Sequence, residues 1–215
     1  MTVEIRDVAP GLWLWRQRHW EWTPEADWQP VVSSFVVESG GEVVLIDPLA
    51  PPPIDGLAVY ERLEAKPPTA IVVVKPDHVR DVTVFAHWYG IPAHGPDLFW
   101  PGDTPPVKLE AVHPGDTTVG GLRGLFDGRS HHEVPIYAPD ARALFFADGL
   151  TAQDGTLRIW WSPLLQVSVL PALRAMLELP FEWVLVSHGD PVHTRADFEA
   201  ALERDAWDIP ADAGG

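Results

Sequence analysis

Apolar and polar positions alternate through "VEIRDVAPGLWLWRQ", on both sides of Pro10-Gly11. A period of two is that of a half-buried strand, so this stretch predicts two short strands joined by a turn. "VVSSFVVESGGEVVLIDP" predicts a hairpin, with strand 31–38, a Ser-Gly-Gly turn and strand 42–47. Between these pairs, residues 17–30 keep no steady period and read as a loop, as does "PLAPPP". The spacing turns helical over 54–65, ahead of Pro67, and again over 79–90, where Gly90 suits a C-cap. "AIVVV" at 70–74 reads as a buried strand, and "IPAH" as a short one. After a loop-rich stretch through Pro106, short strands are predicted near 107–111, 116–119, 122–126, 133–137 and 142–147. A helix over 165–179, interrupted at Pro171, leads to a buried strand at 182–187. The closing helix at 194–207 starts with Thr194 and Asp197 spaced as a capping box. Residues 208–215 read as a frayed tail.

Strands come first, then β-α-β, then strands again, then α-β-α. That order predicts an α/β protein, an αββα sandwich of two mixed β-sheets flanked by helices. No linker or repeat divides the chain, so residues 1–215 are expected to form a single domain.

Composition narrows the function classes. The 215 residues are 46% hydrophobic and 21% charged, enough for a sizeable core. A formal charge of −16, from 31 acids against 15 bases, repels phosphate backbones and anionic lipid. Neither nucleic acid nor membrane is an expected partner; a small-molecule substrate or ligand is, and a homodimer stays open. With no cysteine, any metal must be held by His, Asp or Glu. "MTVEIRDVAPGLWLW" lacks a basic start and a long apolar run, so we expect no signal peptide and a soluble, cytoplasmic protein.

Metal-competent side chains fall at strand ends. Asp77-His78 follows strand 70–74, Asp148 follows strand 142–147 and His188 follows strand 182–187; His131-His132 precedes strand 133–137. If the strand ends converge, two His and two Asp make a four-ligand set for zinc or a similar divalent ion. Each signal alone has a plain structural reading, an N-cap for Asp77 or a turn at His188. His87 reads as a helix-face residue; His94, His113 and His193 as surface groups; His19 as exposed or in aromatic contact; Asp47 as a loop-fixing hydrogen-bond acceptor.

These segments, in this order, resemble the metallo-β-lactamase superfamily over roughly residues 5–200. "GEVVLIDP" is similar to its early strand ending in Asp. "VVVKPDHVRDV" sits where that family carries T-H-x-H-x-D-H, "GRSHHEVPIYAPDARALFFADGL" where it carries G-H-T-P-G-S-x-x-x-Y-x-P-x-x-x-x-L-F-x-G-D, and "VLVSHGDP" where it carries G-H-G-x-P. The resemblance implies a metallo-hydrolase fold with two metals in many members. The ligand positions of the first metal hold Val73, Lys75 and Arg129 here. Those of the second, Asp77, His78, Asp148 and His188, remain. The resemblance thus implies half of a two-metal site, with Lys75 and Arg129 bringing positive charge where a dication would sit and expected to neutralise Asp148. His131 or His132 is a possible replacement ligand.

Eleven tryptophans are unusual. Trp13, Trp15 and Trp183 lie on predicted strands and read as core. Trp20, Trp22 and Trp28 lie in the 17–30 loop and fit core packing, a dimer contact or the aromatic wall of a substrate pocket, with Trp160-Trp161 a further candidate.

Three functional readings follow. One is a hydrolase with at most one divalent metal (zinc, or iron or manganese), acting on an ester, lactone, thioester or amide. In it Asp148 is base or ligand, and Lys75 or Arg129 stabilises an anion. The second is a non-catalytic, metal-free relative that binds a small ligand or protein partner. The third is a metal-free enzyme using Lys75 or the Asp77–His78 pair for acid–base work.

Overall fold

A computed structural model of the chain describes residues 3–26, 28–97, 105, 107–129 and 133–207. Strands β1 (Glu4–Ala9), β2 (Leu12–Arg18), β3 (Val31–Ser39) and β4 (Glu42–Ile46) form an antiparallel meander. Helix α1 (Leu57–Ala65), strand β5 (Ala70–Val72), helix α2 (Val82–Tyr89), strand β6 (Ala93–Gly95) and strand β7 (Leu109–Ala111) follow. Strands β4 to β7 run parallel and complete a seven-stranded sheet in sequence order.

The second half contributes β8 (Arg123–Gly124), β9 (Ile136–Ala138), β10 (Ala143–Phe146), β11 (Leu150–Gln153) and β12 (Thr156–Ile159). Helix α3 (Leu170–Ala175), strand β13 (Trp183–Val186), strand β14 (Val192–Thr194) and helix α4 (Arg195–Ala201) close the fold. The second sheet has the order β14-β13-β10-β9-β8, with β10 and β13 parallel; β11 and β12 form a separate hairpin.

Side-chain alternation builds three apolar layers. On β3, Phe35 and Val37 face the other sheet while Val36 faces the helices. Between the sheets Leu14, Phe35, Ile46, Phe145 and Leu185 are buried, with Phe35 edge-on to Phe145 at 5.5 Å. Outside the first sheet, Trp15, Leu45 and Ile71 pack on Val59, Leu63 and Phe85 of α1 and α2. Outside the second, Leu144, Phe146 and Val184 pack on Leu170, Leu173 and Phe198 of α3 and α4. Each such fully buried side chain contributes about 1.5–3 kcal/mol, so the layers fix both sheets rigidly enough to aim the loops at their ends. The predicted αββα layering is thus observed.

Local expectations differ in four places. Residues 116–119 form no strand beyond a single Thr117–Arg123 bridge, because Gly120 and Gly121 turn the chain at φ 64° and 71°. The predicted helix at 165–179 is three pieces: a wide turn at Leu165–Val169, α3, and a tight turn at Met176–Glu178. Pro171 sits in the first turn of α3, where its missing N–H leaves no partner wanting. The β11–β12 hairpin has no counterpart in the predicted elements, although its turn is Asp154-Gly155 at φ 50° and 72°, the left-handed pair such turns require. Helix α4 is shorter than predicted, but the Thr194–Asp197 capping box is present in both directions. Among the described residues, no helix is long and apolar enough to cross a membrane.

Candidate metal centre

The strand ends named from the sequence converge on one cleft of about 600 Å³. Its floor is built by β4, β5, β10 and β13, whose ends deliver Asp47, the Lys75–His78 turn, Asp148 and His188. Pro76–His78 forms a tight turn with His78 N–H on the Lys75 carbonyl at 2.9 Å, which drops the His78 ring beneath the cleft. His188 is set by backbone: it bridges Val32, and its carbonyl accepts from Ala152 at 3.1 Å. Gly189 follows at φ 83°, and a Cβ there would lie 1.8 Å from the Ala152 carbonyl oxygen. Only glycine lets the chain turn off His188 against the β11–β12 hairpin.

His78, Asp148 and His188 each offer one ligand atom, all within 4.8 Å of one another. Asp148 Oδ1 lies 3.3 Å from His78 Nε2 and 3.1 Å from His188 Nε2. Ligands at ordinary zinc distances in a tetrahedron stand about 3.3 Å apart, so this spacing suits one small divalent ion. Behind His78, Nδ1 meets Asp47 Oδ2 at 2.9 Å, and Asp47 Oδ1 accepts from Val74 N–H at 2.8 Å. A carboxylate on the far nitrogen aims the Nε2 lone pair outward, the usual support of a metal-bound histidine. Donor chemistry, spacing and support all fit an ion held by these three residues.

Asp77 is not in this group. Its carboxylate turns to Lys75 Nζ at 2.5 Å, and Lys75 also pairs with Asp148 Oδ2. Lys75 therefore does neutralise Asp148, as its charge suggested. Arg129 does not: it lines the same cleft but spends NH1 on Asp127 at 2.7 Å and NH2 on the Trp160 carbonyl at 2.7 Å. His131 and His132 lie outside the described residues. Of the loop tryptophans, Trp28 lines the cleft and stands edge-on to His188 at 5.8 Å. Trp20 is 67% exposed and stacks on His19, and Trp22 lies under Arg18. Trp160 also lines the cleft, whereas Trp161 borders a separate groove beside α3.

Four residues of the site carry another role, or none, in the sequence reading. Asp47 orients His78 as well as its loop. Arg80 lies beneath the cleft at φ 41° and donates to the carbonyls of Ser33 and Asp47 at 2.7 and 2.8 Å. Buried Glu133 accepts from Ala147, Asp148 and Gly149 N–H at 3.0, 3.0 and 2.7 Å, so it holds the loop that carries Asp148. His19 is buried in the cleft wall. Asp47 and His19 stand at strand ends, directly after β4 and β2, while Arg80 and Glu133 reach the site from loops.

Burial works against a proton on His78, but Asp148 outweighs it. Opposed by Arg80 and helped by hydrogen bonds to Asp148 and Asp47, it lifts the pKa to about 9. Burial likewise opposes charge on Asp148, yet His78 and hydrogen bonds from His188 and His78 hold its carboxyl well below the usual range. A carboxylate so reluctant to take a proton suits a ligand better than a general base. Burial disfavours charge on Lys75 too, and Asp148 and Asp77 more than reverse it, keeping the ammonium charged. Lys75 is thus a fixed positive charge and no base. Burial, then Asp127 and Asp148, push Glu133 up to about 7 against Arg129 and Lys75.

These shifts set a pH dependence. The folded chain binds the His78 proton more tightly than the unfolded one, whose pKa is near 6.5, so that stabilisation is whole below 6.5 and lost as pH rises through about 9. Glu133 acts in the same direction between 4.5 and about 7. Metal-free protein is expected to melt at lower temperature at pH 9 than at pH 6. Its affinity for a divalent ion should rise over the same window, approaching about tenfold per pH unit while the ion displaces the His78 proton. Melting curves and metal titrations at several pH values check both slopes.

No protein-family model matches the chain, and no curated protein does. Solved structures do. A metallo-β-lactamase from Pontibacter korlensis superposes with a TM-score of 0.66 at 17% identity, over 95% of this chain and 100% of that one. The enzyme from Hirschia baltica gives 0.66 at 17% identity, covering 94% and 97%. FIM-1 from Pseudomonas aeruginosa, in its mono-zinc form, gives 0.68 at 14% identity, covering 94% of each chain. The chain has the metallo-β-lactamase fold.

Proposed function

We propose that this protein is a hydrolase of small acyl compounds (esters, lactones, thioesters or amides) that works with a single divalent metal. The observation that carries the reading is the convergence of His78, Asp148 and His188 at the floor of an open cleft, with Asp47 behind His78. Two imidazoles and a carboxylate suit zinc, with iron or manganese as alternatives. A single-metal arrangement is compatible with the fold, since FIM-1 is described in a mono-zinc form.

A bound ion supplies Lewis acidity, polarising an acyl carbonyl and acidifying water. The chain's own residues do the rest. Three protein ligands leave room for substrate, whereas a fourth from Asp77 would have closed the site. Lys75, held between Asp77 and Asp148, occupies the side of the cleft where the resemblance places a first metal. It offers a fixed charge toward which negative charge can develop on an acyl oxygen. Trp28 covers His188 and keeps water from that flank.

The test is hydrolysis of a panel of aryl esters, lactones and thioesters by purified protein. Activity should disappear on chelation and return with one equivalent of zinc or manganese. Activity indifferent to chelation contradicts the reading.

One observation favours a second reading, a metal-free ligand-binding relative. Asp148 is already paired with Lys75, so its charge has a partner without any ion. In that case no metal binds and no ester in the panel turns over.

A further inference from the structure

Of the lysine and arginine side chains that line the described cleft, Arg80 alone has no ion pair. Lys75 is held by Asp77 and Asp148, and Arg129 by Asp127. Arg80 uses only Nη1, whose two hydrogens go to the carbonyls of Ser33 and Asp47 at 2.7 and 2.8 Å. Nε and Nη2 have no hydrogen-bond partner among the described residues, and neither is sealed in the interior. That edge of the guanidinium is open to the cleft it lines. Asp47, Asp148, Asp77 and Asp81 act on Arg80 only from beyond ion-pair distance. Each is engaged elsewhere: Asp47 by His78 and Val74 N–H, Asp77 and Asp148 by Lys75, Asp81 by Ala50 N–H at 2.8 Å.

The open edge has a definite shape. Nε–H and one Nη2–H point the same way, side by side, and form the fork that grips both oxygens of a carboxylate. The two bonds from Nη1 fix the plane of that fork in advance. Arg80 also stands at φ 41°, where glycine would sit without strain, and strain of this kind collects at ligand clamps. The wall nearby is neutral and aromatic. Burial first, then Arg80, lower the His19 pKa to about 4, and Trp28 stands edge-on to His19 at 5.2 Å and to His188 at 5.8 Å. One indole thus reaches from His19 to the candidate metal ligands and gives an apolar group a surface. An ion held by His78, Asp148 and His188 would make the floor more positive, because Asp148 already answers Lys75. A phosphate dianion fits less well than a carboxylate. One unpaired cation balances one negative charge, while Glu21 lines the same cleft and the whole chain stands at −16.

We propose that the cleft takes acyl compounds that carry a carboxylate, and that Arg80 binds this carboxylate through Nε–H and Nη2–H. The acyl part rests on the hydrolase reading; the carboxylate site does not. The probes are phenylacetate, neutral 2-phenylethanol and the more highly charged benzylphosphonate, none of which holds an acyl bond to cleave. The first two are titrated calorimetrically into the protein as purified and after chelation. Phenylacetate is expected to bind at least about tenfold tighter than 2-phenylethanol in both forms. Benzylphosphonate is compared in the chelated protein, where no ion can coordinate it, and should bind more weakly than phenylacetate. There Arg80→Gly, which relieves φ 41° and removes the fork, should weaken phenylacetate on the order of 10–100-fold and leave 2-phenylethanol unchanged. Arg80→Lys keeps the charge without the fork and should fall between. Thermal melts show which variants fold, and the lysine variant decides alone if the glycine variant does not. The proposal is overturned if phenylacetate binds no tighter than 2-phenylethanol, if benzylphosphonate binds tighter, or if a folded Arg80 variant binds phenylacetate as tightly as the parent. Because no probe is turned over, this result and the chelation test of hydrolysis can fail independently.

Discussion

Asp47→Ala is expected to cost about 3 kcal/mol or more of folding stability and to abolish tight metal binding. Asp47 is 1% exposed. One carboxylate oxygen accepts from Val74 N–H and the other meets His78 Nδ1, while the Arg80 guanidinium lies against the residue's carbonyl. Alanine leaves a buried N–H without an acceptor and deprives two buried cations of the charge beside them. It must also hold φ 46°, a region a Cβ disfavours. Asp47→Asn separates fold from function. Asn tolerates that backbone and can still accept from Val74, so most of the stability should return. Its amide then donates to His78 Nδ1, which moves the ring hydrogen to Nε2, the atom facing Asp148 and His188. Metal affinity should fall on the order of 10–100-fold in a protein that is still folded. Denaturant unfolding and metal titration of the two variants read the two effects separately. An Asp47→Asn protein with unchanged affinity would show that Asp47 only braces its loop.

Glu133→Ala carries the second large effect. Glu133 is 4% exposed, and its carboxylate satisfies three successive N–H groups, those of Ala147, Asp148 and Gly149. Each donor left unmade inside the protein costs about 1–3 kcal/mol, so a loss of roughly 3 kcal/mol or more is expected. The loop carrying Asp148 should loosen with it, and metal affinity should fall even where the fold survives. Glu133→Gln keeps one acceptor oxygen but turns an amide NH₂ toward a donor, and should fall between parent and alanine. Equal stability of parent and alanine variant, by denaturant midpoint, would contradict the geometry.

The parts of the site that the sequence displays are those tied to regular structure. Asp47, His78, Asp148 and His188 stand where apolar runs stop, and a strand that stops delivers its next side chain to the sheet's end. Layering was legible for the same reason, since the alternation in β3 separates Phe35 from Val36. Asp77 shows the limit of the rule. It is adjacent to His78 and equally metal-competent, but the nearby Lys75 ammonium draws its carboxylate away. Arg129 misled in the opposite sense. Its charge suggested a partner in Asp148, while Asp127, only two residues away, claims it. Glu133 and Arg80 reach the site from loops and turns, where no periodicity announces direction; His19 stands directly after β2, which runs on to Arg18 into the stretch that reads as a loop from sequence. The β11–β12 hairpin is a different case. Asp154-Gly155 is a strong turn signal, but the flanking strands are four residues each, too short for an alternation to stand out.

The measurement that bears most directly on the central claim is metal content per chain, on protein purified without chelator, beside a His78→Ala/His188→Ala double variant. The geometry of His78, Asp148 and His188 predicts about one divalent ion per parent chain and none in the variant. No ion in the parent, even after dialysis against zinc or manganese, would contradict it and leave Asp148 paired with Lys75 and protonated His78 in place of an ion.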